Sequence, residues 1–234
     1  MSAAAASRLG AADRLSRRVG PRLLAASAGF SLPAKLRARA TRARGGRGLV
    51  ELFIAFDDPC SAVAVHELAE PLGRRAVELR IVPVIRRGLA GDPAVARKRD
   101  YALLDAGRLA RRRLGRELAR REVLPPEEVA FLAEWTAAAP PGPAVTDFCR
   151  AALARLWFED GGPVSREDFA ALWRERVGGE PSGDAAAVRR CEARMARRGP
   201  YETPAVWTGG RWYFAHDRPR QICAWLDELG WAAA

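Results

Sequence analysis

Apolar residues along this chain change their spacing several times, and each change marks an element. Residues 49–56, Leu-Val-Glu-Leu-Phe-Ile-Ala-Phe, form a nearly continuous apolar run, the pattern of a buried strand. The run stops at Asp57-Asp58, and Pro59 follows. Asp58 suits a helix N-cap, because its carboxylate can accept from the free N–H groups of a first turn. Pro59 suits the next position, where its missing N–H would have no partner anyway. Val65, Leu68 and Ala69 then share one helical face, and Pro71 is expected to end or bend that helix. Residues 77–84 alternate apolar and polar, which predicts a second strand.

From Pro93 to about Arg198 the period becomes helical. Leu103, Ala106, Ala110 and Leu114 repeat at helical spacing, as do Cys149, Leu153, Leu156 and Trp157. Pro125-Pro126 and Pro140-Pro141-Gly142-Pro143 separate the pieces. Ser165 with Asp168 three residues on has the form of a capping box, and Asp184 is placed to cap a last helix through Met195. Thr203-Pro204 then precedes a short strand, a Gly209-Gly210 turn, a second strand and a helix opened by Asp217. Ile222, Trp225, Leu226 and Leu229 form one stripe of that helix. No internal repeat is present. The order βαβ, helices, ββα predicts an α/β chain with a thioredoxin-like fold. Its central mixed four-stranded sheet would be built from two halves, with a large all-helical insertion over about 93–198 between them.

The two ends of the folded part also resemble a known family. Asp58-Pro59-Cys60-Ser61 at the helix start, Thr203-Pro204 before the third strand and Phe214-Ala215-His216-Asp217-Arg218 near the end are similar to the DsbA superfamily. Within it they resemble the branch of 2-hydroxychromene-2-carboxylate isomerases and kappa-class glutathione transferases. The resemblance spans about 49–230. It implies glutathione, or a related small thiol, as cosubstrate, an apolar small molecule as partner and isomerase or transferase chemistry. A homodimer is compatible with it.

Charge divides the chain in two. Residues 1–48 carry eleven basic residues against the single acid Asp13, a net +10, which leaves 28 basic and 27 acidic residues beyond them. The body is therefore almost neutral, and the +11 total belongs to a basic arm. A body without a basic face argues against specific nucleic-acid binding. The arm is expected to be a largely disordered or helical tail, able to touch an anionic surface or a protein partner. Ser16-Arg17-Arg18 before Leu23-Leu24-Ala25-Ala26 has features of a twin-arginine export leader. The short apolar stretch and the basic residues after it favour a cytoplasmic protein instead. No stretch reaches the length of a membrane span. Arginine in place of lysine, with abundant alanine, reads as the composition of a GC-rich bacterial genome. Cys60, Cys149, Cys191 and Cys223 are widely spaced, and with His66 and His216 alone no metal spacing can be assembled. Reduced thiols are the expectation.

The candidate chemistry gathers at Asp58, Cys60 and Ser61. In disulfide-exchanging relatives a cysteine pair occupies the positions matching Asp58 and Ser61, so thiol–disulfide exchange by that route is excluded. In the isomerases and transferases a serine stands at the Asp58 position and holds the glutathione thiolate. A carboxylate cannot donate to a thiolate unless protonated, and two close anions repel. Three readings of Asp58 stay open: an N-cap alone, a general acid or base tuned by the helix dipole, or a bystander to activation by Ser61 or Cys60. Cys60 is either a low-pKa thiol favoured by the helix N-terminus or a small buried filler. Asp57 either shares a proton with Asp58, if both are enclosed, or one of the two faces solvent.

Thr203 and Pro204, through a cis bond, are implied to offer a main-chain edge to a peptide-like ligand. His216 and Asp217 are implied to receive the γ-glutamyl end of glutathione, with an N-cap for Asp217 and a surface turn for His216 as the plainer alternatives. Trp157, Trp173, Trp207, Trp212 and Tyr213 are expected in the core or pocket wall, with Trp207 and Trp212 packing across the hairpin. Tyr101, Asp105 and Arg108 share a helical face, which would either line the pocket or, more simply, carry an ion pair. A degenerate binding module without catalysis is the second reading of the whole chain.

Overall fold

The structure is a computed structural model, and it describes residues 31–88, 91–159 and 161–232. Four strands form one sheet: β1 (Gly48–Ile54), β2 (Val77–Pro83), β3 (Ala205–Thr208) and β4 (Arg211–Phe214), in the order β2-β1-β3-β4. β1 runs parallel to β2 and antiparallel to β3, and β3 is antiparallel to β4. The helices are α1 (Leu32–Ala43), α2 (Pro59–Gly73), α3 (Val95–Leu109), α4 (Pro126–Ala138), α5 (Pro143–Ala154), α6 (Arg166–Arg176), α7 (Ala185–Arg198) and α8 (Pro219–Glu228). α3 and α5 each run on into one π-helical turn, Ala110–Leu114 and Arg155–Glu159. Helices α3 to α7 occupy the insertion, so the expected layout holds. Among the described residues no helix is long and apolar enough to cross a membrane.

The near-continuous apolar run of β1 is explained by burial on both faces. Val50, Leu52 and Ile54 join the large core shared with α2, α5 and α8. Phe53 and Ala55 point the other way, against Val82, Val84, Ala205 and Met195 of α7. Glu51 also lies on that second face, fully buried. Arg198 donates to it at 2.9 Å and Arg194 lies against its other oxygen. Arg198 in turn stacks 3.5 Å from the ring centre of Trp207. Trp207 and Trp212 are opposite each other in register, but Trp212 packs its ring on Tyr201 and Phe214 instead.

The β3–β4 turn needs its glycines. Gly209 and Gly210 have φ of 56° and 85°, the left-handed values of a tight hairpin turn. A Cβ on Gly209 would also stand 2.5 Å from Leu229 and 2.8 Å from Trp225.

Three local expectations change. Pro71 lies inside α2, close enough to its end that the helix runs on to Gly73. Asp217 does not cap the last helix. Asp217 and Arg218 both donate their N–H groups to Phe214 O in a turn, so Arg218 takes the N-cap position and Pro219 opens the helix. The arm, expected to be disordered or helical, is helical over 32–43, but this part is no free tail: Ala34 and Ala38 are packed into the main core. Arg42 donates to Gly230 O at 2.9 Å and stacks on Trp231. The leader-like residues 16–26 lie outside the described residues. The Ser165 hydroxyl accepts from Asp168 N, one half of the expected capping box, while the Asp168 carboxylate pairs with Arg155 instead; Asp184 caps α7, which ends at Arg198.

Candidate functional site

β1 delivers the chain to the start of α2 through Ala55-Phe56-Asp57-Asp58, all buried. Asp58 is the N-cap, with extended backbone (φ −112°, ψ 110°), and its Oδ1 accepts the Cys60 N–H at 3.0 Å. Its other oxygen is as fully engaged. Oδ2 accepts the Ser61 hydroxyl at 2.7 Å and the Thr203 hydroxyl at 2.9 Å. The Thr203–Pro204 peptide is cis. One carboxyl therefore ties the helix start to the cis-proline loop, 145 residues away. Burial pushes the Asp58 carboxyl above its ordinary range, against the opposing pull of Arg87 and the two hydroxyl donors.

Ser61 is a brace. It is fully buried, donates to Asp58 and accepts the Ala55 N–H at 3.2 Å, which leaves nothing of its hydroxyl for a ligand. Cys60 sits as a small buried filler. Its thiol lies 3.6 Å from Ala102 O of α3. Burial first, then the negative charges of Asp58, Asp105 and Asp217, push it well above the usual thiol range. The helix dipole is outweighed because the thiol lies beside acids in a dry pocket.

Neither of the two acids faces solvent, and Asp57 has a cation for its partner. Arg87 grips it with two parallel bonds of 2.8 and 2.9 Å, and only 2 % of the Asp57 side chain is exposed. Burial opposes the charge on Arg87, and the paired Asp57 more than restores it. Arg87 was not among the sequence candidates. The parallel pairing of β1 with β2 brings the loop after Pro83 beside the loop after Ile54, and that pairing was the available signal.

Asp57, Asp58, Pro59 and Arg87 form one wall of a cleft of about 240 Å³, its open mouth included. The other wall comes from the insertion: Arg99, Ala102 and Leu103 of α3, Val123, and Trp157 from the π-helical turn. Trp157 is held there by its indole N–H, which donates to Phe56 O at 3.0 Å. The extra residue of a π turn re-aims side chains, and here it brings an otherwise core tryptophan to the cleft. Four charged side chains line this cleft, and Thr203 and Pro204 border it only through the bond to Asp58.

His216 and Asp217 lie apart from this cleft. Asp217 is half exposed, and His216 Nε2 is 3.6 Å from its Oδ1. His216 is mostly buried, so it is more than a surface turn residue, and its Nδ1 has no hydrogen-bond partner. Its carbonyl accepts from Arg113, which also pairs with Glu67 at 3.0 Å. The field of Asp217 reaches the Cys60 thiol, so this pair borders the same helix start from another side. Tyr101 is exposed and no ion pair joins Asp105 to Arg108. Among the described residues no cluster of His, Cys, Asp and Glu could hold a metal ion. All four cysteines are free.

A solved structure of 2-hydroxychromene-2-carboxylate isomerase is similar to this one, with a TM-score of 0.62. The match covers 78 % of this chain and 96 % of that one, at 17 % sequence identity. The chain has the thioredoxin-like fold of that isomerase. No model of a known protein family matches the sequence, and no curated protein matches it. At 17 % identity the likeness is one of fold, and the chemistry has to be argued from the side chains.

Proposed function

We propose that the chain belongs to the isomerase and transferase branch of the DsbA-like proteins and uses a small thiol of the glutathione type on an apolar cosubstrate. The observation that carries this is the Asp58 carboxyl. It is buried at a helix start, bonded to the residue before the cis proline, and set in the wall of a cleft roofed by the insertion.

The residues present fit glutathione, with one condition. The N–H and C=O of Thr203 make no main-chain hydrogen bond among the described residues, which leaves an edge for the ligand's peptide groups. The half-exposed Asp217 carboxylate suits an α-ammonium group. The sulfur end is different. Pro59 has no N–H, Cys60 N–H goes to the Asp58 side chain and Ser61 N–H to the Asp58 carbonyl, so the first turn has little left to offer a thiolate. Asp58 can donate to sulfur only when protonated, and its raised pKa runs in that direction. Bound glutathione would supply a thiol able to add reversibly to an electrophilic cosubstrate. Asp58 would hold or return the proton, and Trp157, Leu103 and Val123 would exclude water.

Titration calorimetry tests this. Glutathione is expected to bind at millimolar concentration or better, and Asp217→Ala to weaken binding by about 1–2 kcal/mol, one charged hydrogen bond. Absence of binding at millimolar glutathione refutes the proposal. A second reading, a binding module without catalysis, is favoured by one observation: Ser61 and Cys60 are both engaged, so the helix start holds no free nucleophile. Glutathione binding without turnover of any activated chromene or aryl halide would favour it.

A further inference from the structure

The helix α1 has two faces of opposite use. Ala34 and Ala38 point into the core, and Arg42 clamps Gly230 and Trp231. Leu32, Leu36, Ala40 and Ala43 follow at i, i+4, i+8 and i+11 and so lie on the opposite face. All four are exposed, the two leucines at 55 % and 57 %. Monomeric proteins do not usually set two leucines a turn apart into water.

Basic side chains flank this stripe on both sides, Lys35 and Arg39 along one edge and Arg37 and Arg44 along the other. Lys35 shares Glu228 at 3.4 Å, whereas Arg37, Arg39 and Arg44 have no acidic partner among the described residues. The helix contains no acid, and the preceding sequence adds Arg8, Arg14, Arg17, Arg18 and Arg22 against Asp13. An apolar stripe between cationic edges matches an anionic bilayer: leucines enter the headgroup boundary while arginines meet lipid phosphate and carboxylate groups. Nucleic acid would use the charge and leave the leucines unexplained.

The geometry points to α1 as an interfacial helix that docks this protein on anionic membrane surfaces. Rigid attachment to the body gives the docking an orientation. α1 leads directly into the Gly48 end of β1, and Asp58 follows its other end at Ile54, about 20 Å away along seven residues.

Vesicle flotation with the full chain is the test. Vesicles of phosphatidylcholine with about 30 % phosphatidylserine should carry the protein at about 0.1 M salt and release much of it at about 0.5 M. Phosphatidylcholine alone should not carry it. The double variant Leu32→Gln with Leu36→Gln keeps every charge and removes only exposed apolar surface. It should fold, with an unchanged melting transition, and lose binding by about tenfold or more. Failure to float with anionic vesicles overturns the inference, as does full binding by the double variant, which would leave the arm's charge as the whole cause. Tighter binding to polyuridylate than to the anionic vesicles overturns it in favour of nucleic acid.

Discussion

Ser61 and Thr203 donate to the same Asp58 oxygen, yet their removal should have unequal costs. Thr203→Val keeps the shape of the side chain and deletes one bond of 2.9 Å to a buried carboxyl. That loss is worth about 1–2 kcal/mol. Ser61→Ala deletes a similar bond of 2.7 Å and, in addition, the only acceptor of the Ala55 N–H. Ala55 is fully buried, so its stranded donor adds about 1–3 kcal/mol. Ser61→Ala should therefore cost about 2–5 kcal/mol and exceed Thr203→Val by the stranded donor alone. In a chain of this size each kcal/mol lowers the melting point by about 2–4 °C, so the serine variant should melt roughly 10 °C lower. Urea unfolding with an unchanged slope measures both. Because the two donors share one acceptor, the double variant should cost less or more than the sum of the singles, not equal it. If Thr203→Val proves as damaging as Ser61→Ala, Ser61 is not the brace described, and its hydroxyl regains a claim to chemistry.

Asp58→Asn should change how stability follows pH. A carboxyl whose folded pKa is raised contributes stability that is complete below its unfolded value and is lost as pH rises through the folded value. Asn does not titrate, so the variant should gain on wild type as pH rises from acid to neutral; a constant difference across that range would contradict the raised pKa. Cys60 should resist alkylation by iodoacetamide in the native protein at pH 8 and react only on unfolding, while half-buried Cys223 reacts first; rapid native labelling at Cys60 would contradict its burial.

What the sequence disclosed and what it hid divide along one line. The Asp58–Pro59 helix start, the Gly209–Gly210 hairpin and the αβ order each rest on neighbours in sequence, and all three were legible. The side of the helix a side chain takes, and who meets it there, depend on elements far away. Cys60 follows Asp58 by two residues, but its thiol belongs to the α3 interface, and its raised pKa comes first from burial there and then from Asp58 with the distant acids at 105 and 217. The Asp57–Arg87 pair exists because two parallel strands end side by side, and the docking of α1 depends on Trp231 at the other end of the chain. Asp217 is the exception. Pro219 stood two residues on as a better marker of the helix start, the same signal that Pro59 gave correctly.

The acid at Asp58 has one consequence that separates this site from one built on a hydroxyl. Arg87 is committed to Asp57 by two bonds, so it cannot also neutralise a ligand's sulfur at full strength. A thiolate beside an ionised Asp58 would put two anions close together, with Arg99 on the other wall as the one lining cation not paired to Asp57, which is costly. The favourable complex keeps one proton between the sulfur and the carboxyl. Where Asp58 is ionised in the free protein, glutathione should accordingly bind near neutral pH with almost no net proton release, because a thiol of pKa about 8.5 brings its own proton; an Asp58 already protonated would give up that proton on binding. Above that pKa its affinity should fall by about tenfold per pH unit, as the thiolate must recover a proton from solvent. A hydroxyl donor that stabilises the thiolate predicts the reverse, release of about one proton on binding at neutral pH. Calorimetry in two buffers of different ionisation heat counts that proton directly. Release approaching one per site that persists in Asp58→Asn would show that Asp58 does not hold the sulfur's proton, and the mechanism would then have to run through Thr203 and the helix dipole instead.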